Sequence, residues 1–211
     1  MNRIEIIELT KKIKNHVVLS DINLSLKGGR IYGLVGKNGS GKTMLIRTIS
    51  GLVKPTSGEI IYNDKRLYND IDFIDKLGIV IENISLYPHL TGFENLKKLA
   101  GINNLIDDEK IRKTISKIGL DPYDNRKVSQ YSLGMKQKIV LAQAFMEDPE
   151  VLLLDEPTNG LDTDSVELMY RMCRERTDAG AIVIISTHSE HVIENIIDVL
   201  IKIEDGRAKV Q

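Results

Sequence analysis

Apolar and polar residues alternate near the start of the chain, then give way to helical spacing in the middle and to continuous apolar runs near the end. Residues 4–9 (IEIIEL) and 22–26 (INLSL) are rich in strand formers. In the second stretch Ile22, Leu24 and Leu26 alternate with polar positions before the Gly28-Gly29 turn, which predicts a half-exposed antiparallel sheet. Residues 30–35 (RIYGLV) predict a strand, and 42–50 (KTMLIRTIS) a helix with Gly51 just past its end. A turn at KPTSG, a strand through EIIY closed by the pair Asn63-Asp64, and a buried strand through KLGIVI ending at Glu82 follow.

From about residue 83 to 149 strand signals stop. Thr91 and Glu94 form a capping box before FENLKKLAG. Asp107 or Asp108 caps EKIRKTISKI, whose Ile111, Ile115 and Ile118 share one helical face and read as core. Ser132 can cap a third helix from about residue 135 to 147, ended by Asp148-Pro149. Beyond it, VLLLDEP (151–157) and AIVIISTH (181–188) are apolar runs rich in branched residues, as expected of parallel strands buried on both faces. A crossover helix fits residues 164–177 between them, and VLIKIEDGRAKV reads as a hairpin about Asp205-Gly206. The expected class is α/β: one domain over residues 1–211, with an α/β core at about 1–82 and 150–211, an N-terminal antiparallel β subdomain, and a helical insertion at about 83–149.

Composition narrows the partners. At 211 residues, 42% hydrophobic and 28% charged, the chain can bury one substantial core. A formal net charge of −1 argues against nucleic acid as the main partner. The single cysteine, Cys173, lies in a helical run, cannot form an intrachain disulfide, and reads as a packed thiol in a cytoplasmic protein. No stretch is long and apolar enough to span a bilayer, so any membrane role is expected to run through a partner.

Chemistry concentrates at GKNGSGKT, residues 36–43, which fits G-x-x-x-x-G-K-[ST] between a predicted strand and a predicted helix. Glycines 36, 39 and 41 let the backbone turn and expose successive N–H groups, and the following helix points its positive end at the same space. Lys42 is suited to the β and γ phosphates of a nucleotide, and the Thr43 hydroxyl to a bridging Mg²⁺. Asp155 and Glu156 end a predicted buried strand, where ligands sit in open α/β sheets. Asp155 is expected to face Mg²⁺ and Glu156 the attacking water, although strand-end acids also serve as turn residues. His188 ends the next buried run and is placed to hydrogen-bond the γ phosphate or the water. His191 lies three residues on, but no third ligand supports a zinc site; His16 and His89 are expected to be exposed bystanders.

A phosphate loop, a helical block, LLLDEP, NGLD and STH, in this order, resemble the ATP-binding domain of ATP-binding cassette (ABC) proteins over nearly the whole chain. The resemblance implies an ATP-hydrolysing subunit that uses ATP and Mg²⁺, pairs with a second cassette as a homodimer, and drives a separately encoded integral-membrane subunit from the cytoplasmic side. It implies nucleotide contacts from Gly36, Lys37, Asn38, Gly39, Ser40, Gly41, Lys42, Thr43 and Met44, catalysis by Lys42, Glu156 and His188, and metal contacts from Thr43, Asp155 and Glu82. Within YSLGMKQK it assigns Ser132 and Gly134 to the γ phosphate held by the other subunit, and in NGLD it places Asp162 at the dimer interface. Three positions depart from the family pattern: Leu133 replaces a glycine, Met135 a glutamine, and Glu82 a glutamine that precedes the helical block. Ile13 falls where an aromatic that stacks on adenine is usual. The combination of Glu82, YSLGMKQK and LYPHLTGFENL is similar to ATPases of bacterial antibiotic, bacteriocin and lantibiotic export or immunity. It implies an apolar surface near Leu86, Tyr87 and Phe93 that receives a helix of the membrane subunit, unless those residues only pack the helical block. The rival reading is a soluble ABC ATPase acting as a mechanical or assembly module, and a small-molecule kinase is disfavoured by the YSLGMKQK and NGLD stretches.

Overall fold

The computed structural model describes residues 1–81, 86–188 and 193–211; Glu82 and His191 lie outside them. Two sheets carry the fold. The first is antiparallel, in the order β2-β1-β4-β5, from β1 (Arg3–Ile13), β2 (His16–Lys27), β4 (Ser57–Tyr62) and β5 (Lys65–Arg66). The second follows the order β10-β9-β3-β8-β7-β6, from β3 (Arg30–Val35), β6 (Leu77–Val80), β7 (Val151–Asp155), β8 (Ile182–Thr187), β9 (Val199–Glu204) and β10 (Arg207–Val210). Its strands pair in parallel except for β10, which closes a hairpin on β9.

Side-chain parity explains why the predicted buried strands are apolar throughout. In β7, Leu152 and Leu154 enter one core while Val151 and Leu153 enter the other; in β8, Val183 and Ile185 are likewise opposed to Ile182 and Ile184. Helix α1 (Lys42–Ile49) and the antiparallel sheet cover the second face through Leu45, Ile46 and Ile49. The first face is covered by α2 (Gly92–Asn103), α3 (Asp108–Lys117), α4 (Leu133–Phe145) and α5 (Thr163–Asp178). Ile111, Ile115 and Ile118 lie in that core, where each buried isoleucine contributes roughly 1.5–3 kcal/mol. Cys173 is fully buried there as well, and burial pushes its thiol pKa up, away from nucleophilic use.

Local signals set the helix starts. The capping box of α2 is formed in both directions, Glu94 N–H donating to Thr91 Oγ1 at 3.1 Å and Thr91 N–H to Glu94 Oε2 at 2.7 Å. Of the two candidates before α3, Asp107 is the cap, accepting from Lys110 N–H at 2.9 Å. Helix α4 starts two residues ahead of the expected position, immediately after its cap Ser132.

Strands β1 and β2 run much longer than the apolar alternation predicts. Register slips between Ile6 and Leu9, and the buried positions of β2 step from Leu19 to Ile22 before alternating again. Glu8 and Asp21 sit in the left-handed region, with φ of 49° and 50°, and their N–H groups are taken by Asn23 Oδ1 and Thr10 Oγ1. These bulges break the period of two, so sequence alternation sees only the segments on either side. The expected apolar surface is also narrower than the sequence suggests. Leu86 and Phe93 are partly buried against the helical core, with the Arg112 guanidinium 3.9 Å from the Phe93 ring centre. Tyr87 alone of the three is exposed.

Candidate active site

The C-terminal ends of β3, β7 and β8 lie side by side, with Val35 opposite Thr187 and Asp155 opposite Ser186. Residues 36–41 leave β3 and enter α1 flush against β9; a β-carbon at Gly36 would stand 2.3 Å from the Ile203 carbonyl oxygen. Gly41 occupies the N-cap of α1 with φ of 113°, a conformation that favours glycine, and no side chain caps the helix. The amides of the first turn are thus left to a ligand. A cleft of about 460 Å³ opens here, lined by Val18, Asn38, Gly39, Gly41, Lys42, Thr43, Met44 and Glu156. On the other side of the loop a cleft of about 490 Å³ is lined by residues 35–40, His188 and residues 202–205.

Lys42 is buried, its Nζ donating to the carbonyls of Gly36 at 2.7 Å and Lys37 at 3.2 Å, and standing 4.0 Å from Glu156 Oε1. Thr43 Oγ1 donates to Asp155 Oδ2 at 2.6 Å, while the buried Ser186 hydroxyl donates to Asp155 Oδ1. Glu156 has φ of 47°, a left-handed conformation that costs a non-glycine residue about 1 kcal/mol or more. Its N–H is held by both the carbonyl and the hydroxyl of Ser186, at 3.2 and 3.1 Å. That turn directs the two successive acids apart, Asp155 to Thr43 and Glu156 to Lys42 and His188. His188 Nδ1 lies 3.0 Å from Glu156 Oε2. An ionised carboxylate only accepts, so Nδ1 carries the proton in this contact, on a side chain that is itself exposed.

Thr43 Oγ1 and Asp155 Oδ2 are hard oxygen donors of the kind Mg²⁺ takes, and a site built on so few protein atoms suits an ion that retains several waters. Among the described residues no cluster of three or more His, Cys, Asp or Glu could hold a metal. Glu82, the further expected metal contact, lies outside the described residues.

The expected site residues fall into two groups. Those of the loop, together with Asp155, Glu156 and His188, gather at one sheet edge. Ser132, Gly134 and Asp162 line neither cleft. Ser132 is exposed and caps α4, accepting from Met135 N–H at 3.2 Å. Leu133 is 72% exposed and lies against Gly160, and Gln137 Nε2 donates to the Pro157 carbonyl at 3.2 Å. Asp162 caps α5, and the Ser165 hydroxyl and N–H that it accepts hold its carboxyl below the usual range. Ile13 does not line the cleft; the apolar wall comes from Val18 and Met44. Sequence reasoning missed Val18, because nothing local ties it to the loop. It also missed Ser186, whose only signal is a hydroxyl interrupting the apolar run AIVIISTH. His16 and His89 are exposed, and His191 lies outside the described residues.

A phosphate-binding loop and two divergent acids at the C-terminal edge of a mostly parallel sheet define a nucleotide-hydrolysing α/β protein. The chain belongs to the ABC transporter family, whose model matches residues 19–159. It is 43% identical over 204 residues, 97% of this chain and 94% of the relative, to the uncharacterized ABC transporter ATP-binding protein YybJ of Bacillus subtilis (strain 168). It is 36% identical over 205 residues, 96% of this chain and 67% of the relative, to the bacitracin transport ATP-binding protein BcrA of Enterococcus faecalis. Among solved structures, one described as the ATP binding subunit of an ABC transporter matches with a TM-score of 0.88 at 27% identity, covering 98% of this chain and 89% of that one. A dimeric structure of MJ0796, described as a bacterial ABC transporter cassette, matches with a TM-score of 0.83 at 25% identity, covering 98% and 96%. The protein is an ATP-binding and ATP-hydrolysing subunit of a transporter. Among the described residues no helix is long and apolar enough to cross a membrane.

Proposed function

We propose that this chain is the motor of an exporter, held at the cytoplasmic face of the cell membrane by a separately encoded integral-membrane subunit, and that two copies close around two ATP molecules. The observation that carries the reading is the gathering of Lys42, Thr43, Asp155, Glu156 and His188 at one edge, while Ser132, Gly134 and Asp162 stand outside both clefts. A helix N-terminus with an exposed hydroxyl, on the same chain but outside its clefts, suits a γ phosphate held by another copy. The likeness to a cassette solved as a dimer supports the pairing, and the likeness to a bacitracin transport protein supports a transported cargo.

In this reading the backbone and side chains of residues 36–44 hold the triphosphate, and Lys42 exchanges its carbonyl contacts for the β and γ phosphates. Thr43 and Asp155, with Glu82 as a further ligand, would hold Mg²⁺, which would supply charge neutralisation at the phosphate oxygens. Glu156 orients a water and accepts its proton as the water oxygen bonds to the γ phosphorus. The bond to the β–γ bridging oxygen breaks, leaving ADP and inorganic phosphate. His188, anchored through its Nδ1–H to Glu156, offers Nε2 as an acceptor to the water or, as an imidazolium, as a donor to a γ-phosphate oxygen. The core segments at about 1–82 and 150–211 perform this chemistry, and the helical segment at about 83–149 carries Ser132 and Gly134 to the other copy, with Asp162 at the interface.

The test uses Glu156→Gln, which keeps size and removes the charge that activates water. With ATP and Mg²⁺ this variant is expected to shift from monomer to dimer in size-exclusion chromatography with light scattering, because a ligand bridging two copies stabilises their association. Adding Ser132→Arg should abolish the shift while leaving ATP binding to the loop intact. A monomer with its loop saturated, or equal dimerisation of the double variant, overturns the homodimer. For the membrane subunit, co-expression with a polytopic protein encoded beside this one should yield a stable complex; a chain that forms none and hydrolyses ATP alone points to the soluble module.

A further inference from the structure

We propose that Ser186 is a positioning residue that sets the orientation of both acids at once, an inference that rests on reading Asp155 as the metal-side and Glu156 as the water-side carboxylate. Ser186 is fully buried in β8, directly opposite Asp155 across the β7–β8 pair. A hydroxyl offers one proton and two lone pairs, and here the proton goes to Asp155 Oδ1 while a lone pair receives Glu156 N–H at 3.1 Å.

Each bond fixes one thing the chemistry needs. With Oδ1 held by Ser186, the Asp155 carboxylate presents Oδ2 to Thr43, 2.6 Å away, so the oxygen turned toward the phosphate loop is always the same one. Asp155 is buried, and without that donor Oδ1 would keep no other hydrogen-bond partner among the described contacts, leaving the group free to rotate about its last torsion. The second bond helps hold the Glu156 backbone at φ of 47°, the turn that sends its side chain toward Lys42 and His188 rather than after Asp155. One serine therefore couples the position of the metal-side acid to that of its neighbour. Groups that orient a ligand without touching the ion commonly tune metal affinity or activity by about 10–100-fold when removed.

The purified full chain tests this through Ser186→Ala, with Asp155→Asn alongside. A fluorescent ATP analogue is titrated in EDTA and again at rising Mg²⁺, kcat and KM are measured, and thermal unfolding is followed. The expected result for Ser186→Ala is cooperative unfolding and unchanged nucleotide affinity in EDTA. Its Mg²⁺ half-saturation should rise about tenfold or more, with kcat falling while KM for ATP at saturating Mg²⁺ holds. If Asp155→Asn loses Mg²⁺ dependence while Ser186→Ala keeps the normal half-saturation, the positioning role is wrong. Parallel loss of affinity in EDTA and in Mg²⁺ for Ser186→Ala would reduce Ser186 to a packing residue and equally overturn it. An unchanged Mg²⁺ response in Asp155→Asn would instead overturn the metal-site reading on which the inference stands.

Discussion

Two helix N-termini in this molecule meet the same electrostatic problem in opposite ways. Helix α1 begins at Gly41, without a side-chain cap, beside a buried lysine and a cleft. Helix α4 begins at Ser132, whose own hydroxyl takes the Met135 N–H, and its first residue, Leu133, is exposed. The first end leaves its amides to a ligand, and Lys42, Thr43 and Glu156 line the cleft beside it. The second satisfies itself and can still turn its hydroxyl outward. An uncapped terminus keeps its amides open to a ligand, whereas one capped by its own chain is stable alone, which suits the role toward another copy proposed above.

The largest expected effect comes from breaking the first end. Lys42→Ala removes the cation set among the Gly36 and Lys37 carbonyls and Glu156, and should lower ATP hydrolysis at least about a hundredfold. The loop lies at the cleft wall rather than in either apolar core, so circular dichroism should match the parent. Near-normal phosphate release from the folded variant would show that the loop is not the catalytic phosphate site.

How much of this was legible in the sequence depended on the range of the interaction. The loop, both acids and the α2 cap could be read, and the α3 cap to within one residue, because each is a local pattern with a local cause. The left-handed residues Glu8 and Asp21 were not legible, since neither is a glycine and the amide of each is satisfied by a side chain of the neighbouring strand. Ser186 reaches Asp155 across 31 positions and Val18 reaches the loop by strand packing, so neither relation leaves a trace in spacing. Whether Leu86 and Phe93 form open surface or pack the helical block stayed open in the sequence, because their burial depends on distant neighbours such as Arg112, which stacks on Phe93 from α3.

A smaller effect tests the second end. Ser132→Ala deletes the cap of α4 and should cost about 1 kcal/mol of stability, read as a lower urea midpoint at unchanged slope. ATP affinity of the single chain should not change, because Ser132 lines neither cleft. A fall in that affinity would place Ser132 in its own chain's site and erase the contrast between the two termini.

The smallest expected effect lies in the nucleotide base, and it sharpens what the first terminus selects. Among the described residues that line the phosphate-loop cleft none is aromatic, and the apolar ones are Val18 and Met44. Such side chains offer contact area but no π face, and neither carries a strong donor or acceptor to read a base edge. Ile13, at the end of β1, is 44% exposed and equally aliphatic. Binding should then come mostly from the triphosphate, which ATP, GTP and CTP share, and their affinities should fall within about threefold of one another. Competition against a fluorescent ATP analogue measures this directly. Val18→Tyr adds the missing ring at the cleft wall and should widen the spread in favour of purines, since stacking on an aromatic face contributes about 1–3 kcal/mol per base. A preference of the parent for ATP above about tenfold, roughly 1.4 kcal/mol, would mean that a side chain does read adenine, and that the loop's selectivity is not set by phosphate alone.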